Sequence, residues 1–184
     1  RVIEADLRAI LQRIADGGAD SVGLLGSTGT YMFLDRDERR RATAIAVETL
    51  TETPVIVGVG ALRTDHARAL AKDAAAEGAA GLLLAPVSYT PLTEEEVFRH
   101  FAAVAEAIDT SIVIYNNPST TNFTFKPALV ARLADAIPSI AAIKLPLPKG
   151  DIAEDLKTYR EAAPRLTIGY SGDWGCKDGL LAGA

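Results

Sequence analysis

A chain of 184 residues that is 48% hydrophobic and 23% charged, with a formal net charge of −5, has the makeup of a soluble domain with one sizeable core. Its mild acidity, with no basic stripe among aromatics, argues against a nucleic-acid partner, and no apolar run is long enough to span a membrane. One cysteine, Cys176, excludes an internal disulfide and points to a reducing, cytoplasmic setting.

Residues 1–14 read as a helix, because Ile3, Leu7, Ile10, Leu11 and Ile14 recur at helical spacing; Gly17 and Gly18 stop it. No signal-peptide pattern opens the chain. Residues 20–25 form a short strand that enters a glycine-bounded turn, Gly26-Ser27-Thr28-Gly29. Asp35 caps the next helix with Glu38 in capping-box register. That helix buries Ala42, Ile45, Ala46 and Leu50, and its Arg39, Arg40 and Arg41 read as a solvated face. A second strand, 55–59, follows Pro54. Thr64 is expected to cap the helix carrying Ala67, Leu70, Ala71 and Ala74, which Gly78 ends. Strand 81–84 and a loop to Pro91 lead to Thr93 and Glu96, a second capping box, on a helix with Val97, Phe101, Val104 and Ile108. Strand 111–115 comes next, then a helix with Pro127 in its first turn and Val130, Leu133 and Ile137 on its apolar side. The run 140–146 is of strand type but contains Lys144. A last helix starts near Asp151 with Ile152, Leu156 and Tyr159, and strand 166–170 runs into Ser171-Gly172-Asp173-Trp174.

Helix and strand thus alternate in βα units of roughly 30 residues. The strands are short and apolar, as strands of a covered parallel sheet must be. The expectation is a single α/β domain over residues 1–184. An open doubly wound sheet and a closed barrel both satisfy the pattern. Against the eight strands and about 250 residues of a (β/α)8 barrel, six strands leave one to be supplied before Arg1 and one after Ala184.

Lys144 is a poor packing choice in an apolar run, since burying an ammonium costs several kcal/mol. A desolvated amine is, however, a nucleophile that can form a Schiff base with a carbonyl. Taken alone, the stretch is better explained by a strand whose end leaves the amine in water. Gly58-Val59-Gly60 lacks the third glycine of a dinucleotide turn, Arg63 standing there, and reads as a tight strand-to-helix turn. The turn at Ser27 and Thr28 lacks a Walker lysine, but its hydroxyls and backbone N–H groups would suit a carboxylate; an ordinary turn fits equally well. Tyr115 ends a strand, where parallel α/β folds place their sites, and a phenol there can pass protons. Without context, a tyrosine at the rim of the core is the simpler account. His66 and His100 have no ligating neighbour at i+3 or i+4 and there are no paired cysteines, so no metal is expected. No Gly-x-Ser-x-Gly elbow is present.

Four pieces nevertheless occur in one order: Gly26-Ser27-Thr28-Gly29, Tyr115-Asn116-Asn117-Pro118, Ile143-Lys144 and Ser171-Gly172-Asp173. The series resembles the dihydrodipicolinate synthase and N-acetylneuraminate lyase family of pyruvate-dependent class I aldolases, over essentially the whole chain. The resemblance implies a TIM (β/α)8 barrel, of which about six βα units are present, and a homo-oligomer, usually a tetramer of paired dimers, with no metal or organic cofactor. It implies that Lys144 is the Schiff-base lysine, that Tyr115 relays protons, and that Ser27 and Thr28 hold the pyruvate carboxylate, with Ser27 also in the relay. The substrates would be pyruvate and an aldehyde, or a 2-keto acid that is cleaved to pyruvate.

Synthases of the lysine pathway carry an arginine at the position of Thr120, a tyrosine at that of Ser88 and an acidic or polar residue at that of Leu145. The pyruvate half of the site therefore matches better than the partner half. A dihydrodipicolinate synthase-like enzyme is the leading expectation. An aldolase or dehydratase of a sugar-derived 2-keto acid and a non-catalytic keto-acid binder are the alternatives.

Overall fold

The computed structural model describes residues 2–184. Helices α1 (Glu4–Asp16), α2 (Arg36–Thr49), α3 (Thr64–Ala76), α4 (Glu94–Ala105), α6 (Pro127–Ala136) and α7 (Ile152–Ala162) alternate with strands β1 (Val22–Leu24), β2 (Val55–Gly58), β3 (Gly81–Leu84), β4 (Ile112–Tyr115), β5 (Ile140–Pro146) and β6 (Thr167–Ser171). Three short elements had no periodicity to announce them: a 3-10 turn at Tyr31–Phe33, α5 (Pro118–Thr121) and α8 (Cys176–Leu181). The helix near Asp151 is therefore not the last.

The six strands are all parallel and lie in the order β1-β2-β3-β4-β5-β6. A doubly wound sheet would reverse its order at a switch point and carry helices on both faces. Here each strand lies beside its predecessor, and one face takes the helices. That face supplies Val22, Leu24, Val55, Val57, Leu82, Leu84, Ile112, Ile114, Ile143, Leu145 and Ile168 to a single cluster with the helical side chains. The other face holds a small cluster of Leu83, Ala85 and Tyr115, with Ile56, Val87 and Val113 packed on it. The architecture is a half-barrel, and its second face is the inner wall of a barrel. Among the described residues, no helix is long and apolar enough to cross a membrane.

Both capping boxes form. Asp35 Oδ1 accepts from Glu38 N at 2.8 Å while Glu38 Oε2 accepts from Asp35 N at 3.2 Å, and Thr93 and Glu96 make the same pair of bonds. Thr64, by contrast, does not cap α3. The N-cap is Arg63, with no side-chain bond, and Thr64 is the first helical residue. Its hydroxyl lies 3.0 Å from His100 Nδ1 instead. The arginine cluster also divides. Arg40 and Arg41 pair with Glu77 and Glu4 at the surface. Arg39 is buried, sits 4.7 Å over the Tyr31 ring, and donates to the Tyr31 and Gly60 carbonyls at 3.1 Å each.

The Gly58-Val59-Gly60 turn is tight for a specific reason. A Cβ on Gly58 would lie 1.9 Å from the Leu25 carbonyl oxygen, so the end of β1 meets β2 backbone to backbone. That contact sets the start of the turn bearing Ser27.

Candidate active site

The site begins with a count of residues in β5. Ile112 pairs with Ile140, but Val113 pairs with Ala142, so Ala141 is passed over in a bulge. Beyond it, Ile114 faces Ile143 and Tyr115 faces Lys144. Side chains alternate along a strand, so one extra residue reverses every later side chain. Ile143 and Leu145 accordingly enter the helix-side core, and Lys144 turns to the inner face with Tyr115. Without the bulge, an ammonium would point into the apolar layer beneath α6. The bulged segment is held by Arg165, whose guanidinium donates to the carbonyls of Ala134, Ile137 and Ile140, where α6 ends and β5 begins.

Lys144 is half-buried, and its Nζ lies 4.9 Å from the centroid of the Tyr115 ring. It forms no ion pair among the described residues. Its strand bonds to the neighbour directly, Asn116 N donating to Lys144 O at 3.0 Å. Tyr115 is buried, with its hydroxyl 3.3 Å from Ser27 Oγ across 88 residues of sequence. Ser27 reaches this place because Leu25 holds a left-handed backbone, φ 56°, between β1 and the turn. A leucine there is strained by roughly 1–2 kcal/mol, and the close approach of Gly58 helps to hold it. The turn closes with Thr30 N donating to Ser27 O at 3.1 Å.

Of the four expected site residues, three converge: Ser27, Tyr115 and Lys144 line one side of the inner face. Thr28 lies in the same turn but is exposed, with no side-chain hydrogen bond among the described residues. Two residues were passed over in the sequence. Asn117 donates through Nδ2 to both Ser27 Oγ (3.2 Å) and Tyr115 Oη (3.1 Å). Its place in Tyr115-Asn116-Asn117-Pro118 was the available signal. Tyr31 is buried beyond the glycine turn; burial pushes its phenol up, Tyr115 adds to the rise and Arg39 opposes it. On the partner side, Thr120 Oγ1 donates to Asn117 O at 3.3 Å, Ser88 bonds within its own loop, and Tyr89 is exposed. Ser171 donates to Leu145 O at 3.1 Å and so ties β6 to the residue after Lys144. A cavity of about 490 Å³ beside α2 and α3, lined by Tyr31, Met32, Arg39, Gly60, Leu62 and Val87 among others, contains none of the three converging residues. The open inner wall instead carries an amine, a phenol and a hydroxyl, a set of groups suited to carbonyl condensation with proton transfer.

Comparison with known proteins gives a consistent result. The model of the dihydrodipicolinate synthetase family matches residues 1–184. The 4-hydroxy-tetrahydrodipicolinate synthase of Methylococcus capsulatus is 36% identical over 168 residues, which is 91% of this chain and 56% of that protein. The synthase of the same name from Pelobacter propionicus is 38% identical over 144 residues, 78% of this chain and 49% of that one. The solved dihydrodipicolinate synthase of Agrobacterium tumefaciens superposes with a TM-score of 0.93 at 55% identity, covering 100% of this chain and 63% of that chain. YagE, a prophage protein of the dihydrodipicolinic acid synthase family from E. coli K12, solved in complex with pyruvate, superposes with a TM-score of 0.93 at 26% identity and 62% of its length. The chain spans about half the length of the curated relatives it matches. With its parallel half-barrel, the amine and phenol on paired rungs, and a family match that runs from end to end, this chain belongs to the dihydrodipicolinate synthetase family.

Proposed function

We propose that this chain carries the pyruvate-activating site of a class I aldolase-type synthase, in which Lys144 forms a Schiff base with pyruvate and the resulting enamine attacks an aldehyde. The observation that carries the proposal is the position of Lys144 Nζ over the Tyr115 ring, with the Tyr115 hydroxyl in reach of Ser27. In the free amine, the nitrogen lone pair adds to C2 of pyruvate. The carbonyl oxygen takes up protons and leaves as water, giving an iminium. Loss of a proton from C3 then yields the enamine, whose C3 bonds to the aldehyde carbon, and water releases the product from the lysine. Tyr115 serves as the proton carrier, and Ser27 as its hydrogen-bond partner. The backbone N–H groups and hydroxyls of the turn at Ser27 and Thr28 are the place for the pyruvate carboxylate.

The curated relatives described above bear the synthase name, which favours condensation over cleavage of a sugar-derived 2-keto acid and over passive binding. A second copy of the chain is the partner we propose, and exposed Met32 and Leu62, which line one cavity at the surface, are where we place its contact.

The test is to incubate the protein with pyruvate, reduce with borohydride and weigh it. The expected product is a covalent adduct that maps to Lys144 and is missing in Lys144→Ala. An unchanged mass in a folded protein would overturn the proposal.

A further inference from the structure

The Ser27–Tyr115 pair has a third member. Asn117 Nδ2 donates to Ser27 Oγ at 3.2 Å and to Tyr115 Oη at 3.1 Å, and those oxygens are 3.3 Å apart. The side chain is oriented from behind, because the Ser119 hydroxyl donates to Asn117 Oδ1 at 2.8 Å. That bond turns the nitrogen, not the oxygen, toward the pair. The backbone is fixed as well: Asn117 O accepts from Thr120 N and Thr121 N at 3.1 Å each. A carboxamide nitrogen has two hydrogens, and both oxygens lie within its donor reach.

The arrangement limits how the two hydroxyls can bond. Ser27 Oγ accepts from Asn117 and can accept a second time from Tyr115, which leaves its own O–H to donate outward. Tyr115 Oη accepts from Asn117; in the arrangement where it is the donor to Ser27, it keeps one lone pair open. Without the amide, each hydroxyl would have only the other and could rotate away.

We infer that Asn117 is a positioning residue for proton transfer at C3 of the bound keto acid. This inference rests on the Schiff-base reading above. In the step it serves, the C3–H bond breaks and its electron pair forms the C2=C3 bond, while the C2=N π pair returns to nitrogen. The proton goes to the open lone pair of Tyr115 Oη as that oxygen's own proton passes to Ser27 Oγ, whose proton passes to solvent. Asn117 touches the two oxygens and not the substrate. It fixes where they stand and which way their protons point.

Pyruvate alone in D2O separates this role from imine formation, with the protein used as its gene encodes it. The extent of borohydride-trapped adduct after long incubation reads the imine, and deuterium entry into the pyruvate methyl group reads C3 proton transfer. Asn117→Leu keeps the size of the side chain and removes both N–H donors. Its adduct should match that of the unaltered protein, while deuterium entry should slow by roughly 10- to 100-fold, a share of the roughly 10²–10⁴ that positioned acid–base groups supply. Ser119→Ala removes only the anchor of the amide at an exposed position and should slow exchange by a factor of about 2–10. It decides the question if Asn117→Leu does not fold. Exchange within twofold of the unaltered rate in Asn117→Leu, or at the unaltered rate in Ser119→Ala when only that variant folds, would overturn the inference. So would adduct and exchange falling together. Absence of any adduct in the unaltered protein is a different result, and it removes the Schiff-base reading itself.

Discussion

Replacing Gly58 by alanine tests whether the meeting of β1 and β2 sets the Ser27 turn. The new Cβ would stand 1.9 Å from the Leu25 carbonyl oxygen and 2.7 Å from its carbon. Both are main-chain atoms, so no rotamer change relieves the contact. The strands must part by about 1 Å at this end before the overlap is tolerable. Overpacking of this kind costs about 1–3 kcal/mol, and losing one hydrogen bond at the end of the β1–β2 ladder, where Leu24 is in register with Val57, adds about 1 kcal/mol. The expected loss is about 2–4 kcal/mol, or about 5–15 °C in Tm for a chain of this size. Urea midpoints at constant m-value and a thermal melt measure it, and the borohydride adduct measured beside them reports the displacement of Ser27. The sign is decisive. Where an alanine fits its backbone, Gly→Ala stabilises by about 0.4–1 kcal/mol by restricting the unfolded chain. A Gly58→Ala protein as stable as the parent would therefore refute the close approach and the account of the turn built on it.

Arg39→Met keeps an apolar stem but strips the donors from the Tyr31 and Gly60 carbonyls; we expect a loss of about 2–4 kcal/mol, and a urea midpoint shift worth under about 0.5 kcal/mol would show that the guanidinium is dispensable. His100 is buried against Thr64, and desolvation holds its pKa below the ordinary 6.5. The unfolded chain therefore takes up a proton on this histidine before the folded one does, so stability is full above pH 6.5 and declines as the pH falls below it toward the lowered folded value. Melting temperatures from pH 7.5 down to 5 should fall less steeply in His100→Gln, and equal slopes would assign the acid sensitivity elsewhere.

The strands were legible because each is a short apolar run, and the capping boxes because Asp35 with Glu38 and Thr93 with Glu96 stand at fixed spacing. Sheet order was not, since the alternation of helix and strand is the same for an open sheet and for a barrel; only pairing in the order β1 to β6 separates them. Thr64 shows the limit of a capping rule. Its hydroxyl had a choice between a backbone donor and His100, and that partner lies 36 residues away. Arg39 could have been singled out, for it stands three and four positions before Ala42 and Thr43 and so shares their buried stripe. Reading three arginines as one charge run hid that. Among the candidate site residues, the amine, the phenol and the serine that converge in the fold were singled out through their order along the chain. Asn117 was quoted in a motif without a role, because what a carboxamide does depends on what faces it, and Ser27 is 90 residues distant.

The unpaired alanine in β5 makes the side on which the Lys144 amine emerges a matter of parity. At Ala141 and Ala142 the chain is free to change composition, since neither fills a deep pocket, but between Ile140 and Lys144 it has little freedom in length. Gain or loss of a single residue there would exchange the two sides of the strand, hiding the Lys144 amine under α6 and turning an apolar side chain to the inner wall. Numbering along this segment is therefore under tighter physical constraint than the identity of Ala141 and Ala142.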